Sequence, residues 1–390
     1  QIGAETIRLG ETATIAGSLT YDGSLQGNRD AVAGEITRDR SLGGDIFTDL
    51  QPLATGIFAI NAFLLNLGLG VLLLGLFPKF SDRLAENREI APETRETLRA
   101  AAESDGTAMD AVRMGIADAS LNRDGAEDPE SDALLAVAQI PTVLATYWRY
   151  REGEEPVEPR DDLSHAANFL YMLRGEEPEP EEVRGLETYL NTVIDHGLNA
   201  STFTARVVVS TESDVISAVT GAVGTLKGPL HGGAPGPVLD MLLSAYESGD
   251  PAGVVNDRLD SGERLMGFGH RVYRVRDPRA AVLQSAAEQF YEGESDGFFD
   301  AARELESVAV DALKERKPDA RLDTNVEFYT AVLLHGLGIP KEIFTGIFAV
   351  SRVGGWTAHC LEQMENNRII RPQSQYVGEN GRTWTPLAER

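Results

Sequence analysis

Most of the chain carries apolar residues at intervals of three or four positions, the spacing that puts them on one face of an α-helix. Segment 181–194 is an example, with Val183, Leu186, Leu190 and Val193 on one face. The same pattern predicts helices at 92–102, 107–119, 129–150, 165–174, 215–226, 237–247, 280–289, 299–315, 325–337 and 342–365. Strand-like alternation is nearly absent after residue 25, apart from 206–209, so the predicted fold class is all-α.

The N-terminal residues follow a different pattern. Residues 4–22 alternate weakly between apolar and polar positions and turn at Gly10 and at Asp22-Gly23. Alternation with a period of two, bounded by turn residues, is typical of strands. The sequence therefore predicts a small β-hairpin at the N-terminus.

Helix-breaking residues predict interruptions in two of the longer helices. Pro141 lies inside segment 129–150, where proline removes a backbone hydrogen bond and should kink or split the helix. Gly354-Gly355 predicts a break within segment 342–365.

Residues 56–77 form a long apolar segment, and no charged residue occurs between Asp49 and Lys79. The length would satisfy a membrane span, for which about 20 apolar residues suffice. Asn61, Asn66, several glycines and the acidic remainder of the chain favour a pair of buried helices, or a helix at a subunit interface. We therefore predict no membrane association.

The composition is strongly acidic, with a formal net charge of −26. Almost all of the 35 basic residues are arginine rather than lysine. An acidic surface repels nucleic acids and anionic membranes, so neither is an expected partner. This surface is typical of a protein that stays soluble in concentrated salt, and we predict salt adaptation.

Cys360 is the sole cysteine, so neither an intrachain disulfide nor a cysteine-cluster metal site can form. No His-Glu-x-x-His motif is present, and no metal site is predicted. With no signal-peptide pattern at the start of this sequence, a reducing cytoplasm is the expected location.

Candidate chemistry concentrates at three of the six histidines. His196, His231 and His270 each lie beside glycine at a predicted helix boundary, where side chains can face a cleft. Arginines follow His270 closely and supply forked donors for carboxylates and phosphates; they are Arg271, Arg274, Arg276 and Arg279. The remaining histidines lie in largely apolar helical patterns, and we assign them structural roles: His165, His335 and His359.

These residue types could form a carbon–carbon bond through an enol. A carboxylate would remove a weakly acidic proton beside a carbonyl, and a neutral histidine would hydrogen-bond to the developing oxyanion. A second histidine would polarise the electrophile's carbonyl, while arginines would hold its carboxylates. His231 would be kept neutral if the segment after it begins a helix, because a helix N-terminus disfavours imidazolium.

At these motifs the chain resembles the citrate synthase family. The matching segments are 195–201, 229–234, 267–279, 325–329, 348–352 and Arg371-Pro372. The resemblance implies an all-α, two-domain helical homodimer with shared active sites. The large domain would comprise 1–230 and 334–390, and the small domain 231–333. It also implies condensation of acetyl-CoA with oxaloacetate and water to give citrate and CoA, with no tightly bound cofactor.

The resemblance also assigns roles to individual residues. His231 matches the histidine that stabilises the acetyl-CoA enol, and His270 the one that polarises the oxaloacetate ketone. His196, Arg279 and Arg352 would bind oxaloacetate, together with Arg371 from the partner subunit. Arg274 would contact the CoA phosphates, with Arg271 as a further candidate contact on charge grounds.

One departure from the family pattern concerns the catalytic base. The family has aspartate in an Asn-Val-Asp context, whereas this chain has Asn325-Val326-Glu327. We assign Glu327 as the base because it holds the motif position, with Asp323 as the alternative. Glutamate is one methylene longer than aspartate, and displacing a catalytic carboxylate by about one bond length can cost ~10²-fold in rate. Glu327 therefore leaves open a catalytically weak CoA- or citrate-binding sensor. A 2-methylcitrate synthase using propionyl-CoA also stays open, because the sequence does not give the pocket volume near the acyl methyl.

Overall fold

The computed structural model describes residues 6–10, 12–21, 24–38, 80–123, 128–233, 235–269, 276–292, 297–318, 320 and 322–389. The chain divides into two compact units, Gln1–Pro78 and Lys79–Arg390. The finer division into a large domain and a small domain at 231–333 stays a prediction.

The described part of the first unit contains four short strands: β1 Thr6–Leu9, β2 Leu19–Tyr21, β3 Ser24–Gly27 and β4 Ile36–Arg38. β1 pairs with β3, and β2 pairs with β4, in both cases in parallel. The predicted antiparallel hairpin is therefore wrong. Parallel pairing stacks Ile7 on Leu25, and Leu19 on Ile36. Their side chains join a small apolar cluster, whereas an isolated two-stranded hairpin is only marginally stable in water.

The second unit is helical, which confirms the all-α prediction. Its α-helices are α1 Pro92–Glu103, α2 Ala108–Ala117, α3 Pro129–Arg151, α4 His165–Arg174, α5 Pro180–Val193, α6 Ala200–Val209, α7 Val215–Leu226, α8 Pro235–Ser248, α9 Pro251–Asp260, α10 Pro278–Phe290, α11 Phe298–Arg316, α12 Val326–Gly336 and α13 Phe344–Glu365. Residues 80–86 are also helical. Short 3₁₀ turns occur at Arg29–Ala31, Asp118–Asn122, Lys341–Ile343 and Leu387–Glu389.

Local chemistry explains where many of these helices begin. Proline stands in the first turn of α1, α3, α5, α9 and α10, where its missing N–H costs nothing. Side chains of Asp128, Ser164, Asn199 and Asp214 accept hydrogen bonds from the first-turn amides of α3, α4, α6 and α7. Caps and apolar periodicity together set the element boundaries.

The structure corrects three local predictions. Residues 206–209 are the last turn of α6, not a strand. α3 runs through Pro141 without splitting, because its apolar length is buried in the core and packing outweighs the lost backbone hydrogen bond. α13 runs through Gly354-Gly355, where the missing side chains admit another segment close to the helix.

The longest helices form the centre of the second unit. α13 packs against α3, α5, α6 and α7, and Trp356 at its middle is fully buried. No helix in the described part of the chain is both long and apolar enough to cross a membrane. The apolar segment 56–77 lies outside the described residues.

Candidate active site

Two segments distant in sequence meet at the start of α12. Phe268 bridges to Thr324, and the Asn325 amide donates to Gly267 O at 2.9 Å. The Asn325 side chain donates to Gly269 O at 2.9 Å and accepts from the Glu327 amide at 3.0 Å. Gly267 and Gly269 adopt φ angles of +90° and +81°, which favour glycine. This pairing fixes Glu327 in the first turn of α12, beside the point where the chain leads into the His270 segment.

A buried carboxylate joins the starts of two helices. Asp277 is 0% exposed. Its side chain accepts from the Arg279 amide at 3.0 Å, which caps α10, and from the Val326 amide at 3.3 Å, at the start of α12. It also pairs with the Arg279 guanidinium at 2.8 Å. Asp277 therefore holds Arg279 and the first turn that carries Glu327 in one arrangement.

Arg352 enters the same region from α13. It is 2% exposed, donates Nε–H to Val193 O at 2.9 Å, and lies 4.6 Å from the centre of the Phe348 ring. Burial lowers the pKa of Arg352 to about 10, and the charge of Arg279 adds to that effect. Arg352 remains a cation at neutral pH, and the described residues supply no anion in salt-bridge contact with it.

Glu327 is half-buried and interacts electrostatically with both arginines. Burial raises its pKa to about 7, Arg279 and Arg352 oppose the rise, and Asp277 adds to it. Burial disfavours the charged carboxylate, which explains the direction. A carboxylate with a pKa near the working pH can both accept and release a proton, which is what a general base requires.

His231 lies near Arg352 and is held by a hydroxyl. Ser201 Oγ is 2.8 Å from His231 Nε2, and Trp356 donates Nε1–H to the same oxygen at 3.0 Å. Ser201 Oγ also lies 2.8 Å from Asn199 Oδ1. Burial lowers the pKa of His231, and the positive charge of Arg352 lowers it further. This direction agrees with the expected neutral imidazole, and a helix, α8, begins four residues after His231 as that expectation required.

The turn that carries His196 is held against α13. Asp195 accepts from the Gly197 amide at 3.0 Å and pairs with His359 Nε2 at 3.2 Å. A Cβ at Gly355 would lie 2.3 Å from Ile194 O, so only glycine permits this approach. The same closeness lets Arg352 reach the Val193 carbonyl. His359 contacts Arg206 as well, which agrees with its predicted structural role.

The predicted site residues thus divide into three groups. Glu327, His231, Arg279 and Arg352 come together in the described structure through the electrostatic contacts above. His196 is half-buried on the neighbouring turn, and Arg371 is exposed in the extended segment after α13. His270, Arg271 and Arg274 lie outside the described residues.

Sequence reasoning missed four contributors to this region. Asp277, Ser201 and Trp356 position the predicted residues, and Tyr189 of α5 interacts electrostatically with Glu327, Arg279 and Arg352. Asp277 directly precedes proline at a helix start, a detectable capping signal. The other three look like ordinary core or cap positions in sequence.

Comparisons with known proteins identify relatives of the second unit. The family model described as citrate synthase, C-terminal domain, matches residues 74–373. Citrate synthase from Haloferax volcanii is 46% identical over 321 residues, covering 80% of this chain and 83% of that protein. Citrate synthase 2 from Bacillus subtilis is 40% identical over 319 residues, covering 80% of this chain and 84% of that protein.

Solved structures give the same result. Citrate synthase from Pyrobaculum aerophilum superposes with a TM-score of 0.70 at 38% identity, covering 80% of this chain and 81% of that chain. A ternary complex of citrate synthase from Thermoplasma acidophilum with carboxymethyl coenzyme A and oxaloacetate superposes with a TM-score of 0.72 at 29% identity. That match covers 80% of this chain and 84% of the other.

Proposed function

The chain belongs to the citrate synthase family, and from this premise we propose that Glu327, His231, Arg279 and Arg352 carry its citrate synthase reaction. The reaction condenses acetyl-CoA with oxaloacetate and water to give citrate and CoA. The family uses CoA-linked substrates without a tightly bound cofactor. The observation that supports this proposal is a carboxylate whose pKa is raised to about 7, interacting with buried Arg352 and half-buried Arg279, together with a histidine whose pKa is lowered by burial and by the charge of Arg352.

The first step removes a proton from the acetyl methyl group. Glu327 takes this proton, and the thioester oxygen gains negative charge as the enol forms. The single Ser201 hydroxyl proton can go to Asn199 Oδ1 or to His231 Nε2, each 2.8 Å from Oγ. We assign it to His231 Nε2 during the reaction, so that the neutral imidazole carries its own proton on Nδ1 and donates it toward the thioester oxygen.

The second step forms the carbon–carbon bond. The enol carbon attacks the ketone carbon of oxaloacetate, and the ketone oxygen takes a proton, for which we assign His270. Arg279 and Arg352 bind the carboxylates, with His196 as a further contact. The product of this step is still a thioester, so water must cleave it, releasing citrate and the CoA thiol. Arg274 and Arg271 are assigned to the CoA phosphates.

The substrate assignment has a direct test. Purified protein in molar KCl, supplied with acetyl-CoA and oxaloacetate, should release the CoA thiol in step with citrate measured by mass spectrometry. Propionyl-CoA should react much more slowly, because the two relatives named above at 46% and 40% identity are citrate synthases. A preference for propionyl-CoA would contradict the assignment, and bound ligand without thiol release would favour a sensor.

We further propose a homodimer in which Arg371 completes the partner's site. The segment after α13 leaves large apolar side chains exposed, including Val377 at 92% and Trp384 at 75%. Such side chains are suited to cover by a second copy.

Subunit mixing tests the homodimer proposal. Arg371→Ala and Glu327→Gln should each be inactive alone, whereas mixed dimers contain one intact site. Random mixing should therefore restore about a quarter of wild-type activity. No recovery in verified mixed dimers would place Arg371 in the site of its own chain.

The acidic composition supports a salt-adapted, cytoplasmic enzyme. Activity should persist or rise from 0.1 M to about 2 M KCl, because salt screens the repulsion among surface carboxylates. Loss of activity over that range would oppose this proposal.

A further inference from the structure

Tyr189 is a buried residue of the site region to which the proposed mechanism gives no role. It lies on α5, one turn before Val193, whose carbonyl accepts the Arg352 Nε hydrogen bond. α5 packs against both α10, which carries Arg279, and α13, which carries Arg352. Tyr189 therefore lies on a helix that contacts the helices of both arginines.

The phenol side chain is buried, and its oxygen makes no hydrogen bond to a described residue. Tyr189 is 1% exposed, but Oη itself is not fully shielded, so it borders space that water can reach. Its electrostatic neighbours are Glu327, Arg352 and Arg279, one from each surrounding helix. A hydroxyl that borders such space can donate to a ligand there, and a hydrogen bond to a charged acceptor adds affinity.

The neighbours define the chemistry of that ligand. Two guanidinium groups favour an anion with carboxylate geometry. Burial and the charge of Glu327 raise the pKa of Tyr189 well above its usual range, so the phenol stays protonated and acts as a donor. A neutral phenol near two guanidinium groups can donate to a carboxylate oxygen without repelling the anion.

We propose that Tyr189 Oη donates a hydrogen bond to a carboxylate of the bound dicarboxylate, between Arg279 and Arg352. This role rests on the proposed function, in which the dicarboxylate is oxaloacetate. It makes Tyr189 a substrate-binding residue.

The test uses Tyr189→Phe, which removes only the oxygen atom. Calorimetric titration with oxaloacetate, and separately with malate as an unreactive dicarboxylate, should give affinities about 10- to 100-fold weaker than wild type, as for one hydrogen bond to a charged group. The KM for acetyl-CoA should stay within about twofold. Because Oη makes no hydrogen bond to a described residue, the variant should unfold at about the wild-type temperature.

Tyr147→Phe is the matched control. Tyr147 is a buried tyrosine of α3 whose hydroxyl donates to Gly106 O at 2.9 Å. Removing that hydroxyl should lower the melting temperature and leave dicarboxylate affinity unchanged.

Three results would overturn the proposal. They are unchanged dicarboxylate affinity in Tyr189→Phe, an equal loss in Tyr147→Phe, and a shifted acid limb of the rate with unchanged affinity. The last would mean that Tyr189 acts on Glu327. Failure of the proposed function is a separate outcome: wild-type protein would make no citrate, while the titrations would still decide whether Tyr189 binds dicarboxylates.

Discussion

The raised pKa of Glu327 predicts opposite effects of one substitution on activity and on stability. The base must be ionised to accept a proton, so kcat/KM for oxaloacetate should fall about tenfold per pH unit below about 7. Glu327→Gln should abolish condensation over the whole pH range. The exposed Glu304→Gln, on α11, should leave the pH profile unchanged.

The effect on stability follows from proton linkage. The pKa of Glu327 rises from 4.5 in the unfolded chain to about 7 in the fold. Between these values the folded state keeps a proton that the unfolded state has lost, so stability falls as pH rises. The difference of about 2.5 in pKa, at about 1.4 kcal/mol for each, corresponds to roughly 3 kcal/mol lost above pH 7.

The comparison of Glu327→Gln with wild type isolates the contribution of Glu327 ionisation to the unfolding free energy, because glutamine does not titrate. The variant's advantage in unfolding free energy should grow by about 3 kcal/mol from pH 4.5 to pH 8. Denaturant unfolding at constant ionic strength measures this difference. A constant difference across that range, or an acid limb near pH 4.5, would refute the reasoning. Retained turnover in Glu327→Gln would move the base elsewhere, to Asp323 first.

Three further predictions concern the residues around the base. Ser201→Ala leaves Trp356 Nε1–H without its acceptor and His231 without its hydroxyl contact. We therefore expect a loss of about 1–3 kcal/mol in unfolding free energy and about a tenfold loss in kcat. The control Ser244→Ala, at an exposed serine, should change neither quantity. Asp277→Asn removes a negative charge that raises the Glu327 pKa, so the acid limb of kcat/KM should move to lower pH. The KM for oxaloacetate should rise, because Arg279 loses its ion-pair partner. An upward shift of the acid limb would contradict the effect assigned to the Asp277 charge. Gly355→Ala places a Cβ 2.3 Å from Ile194 O, so it should lower the unfolding free energy by about 1–3 kcal/mol and weaken oxaloacetate binding. In the control Gly224→Ala the Cβ lies 3.7 Å from Arg113 Cδ, and this change should be neutral or stabilising. Equal effects of the two variants would refute the role of close approach.

Apolar periodicity and capping residues were sufficient to predict most of the helices. They are local properties, and each amphipathic helix needs only a core to pack against. The failures involved long-range packing. Pro141 and Gly354-Gly355 are helix breakers by propensity, but α3 and α13 are buried on most sides, so tertiary contacts hold them intact. The parallel pairing of β1 with β3 depends on strands 18 residues apart, which local alternation does not reveal.

The candidate site was predictable wherever a residue type stands out in its local sequence. Histidines beside glycine and arginines near proline carry such signals, and Glu327 follows a recognisable helix cap. Ser201, Trp356 and Tyr189 gave none, because each is typical of a cap or a core and gains its role only where helices converge. Ser201 contacts His231, 30 residues away, and Trp356 contacts Ser201, 155 residues away, so local sequence does not reveal either contact.

Glu327 stands at the proposed base position, where the family has the shorter aspartate, and the backbone around it indicates how the longer side chain is accommodated. A longer side chain could keep the family geometry if the start of α12 withdrew from the site. Four hydrogen bonds oppose that withdrawal: Gly269 N to Asp323 O, Asp277 N to Thr324 O, Asn325 N to Gly267 O, and Val326 N to the Asp277 carboxylate. Moving this turn by one bond length would break several of them at about 1 kcal/mol each. The extra methylene is therefore accommodated by the Glu327 side chain, whose carboxylate interacts with Arg279 and Arg352 while the backbone stays fixed.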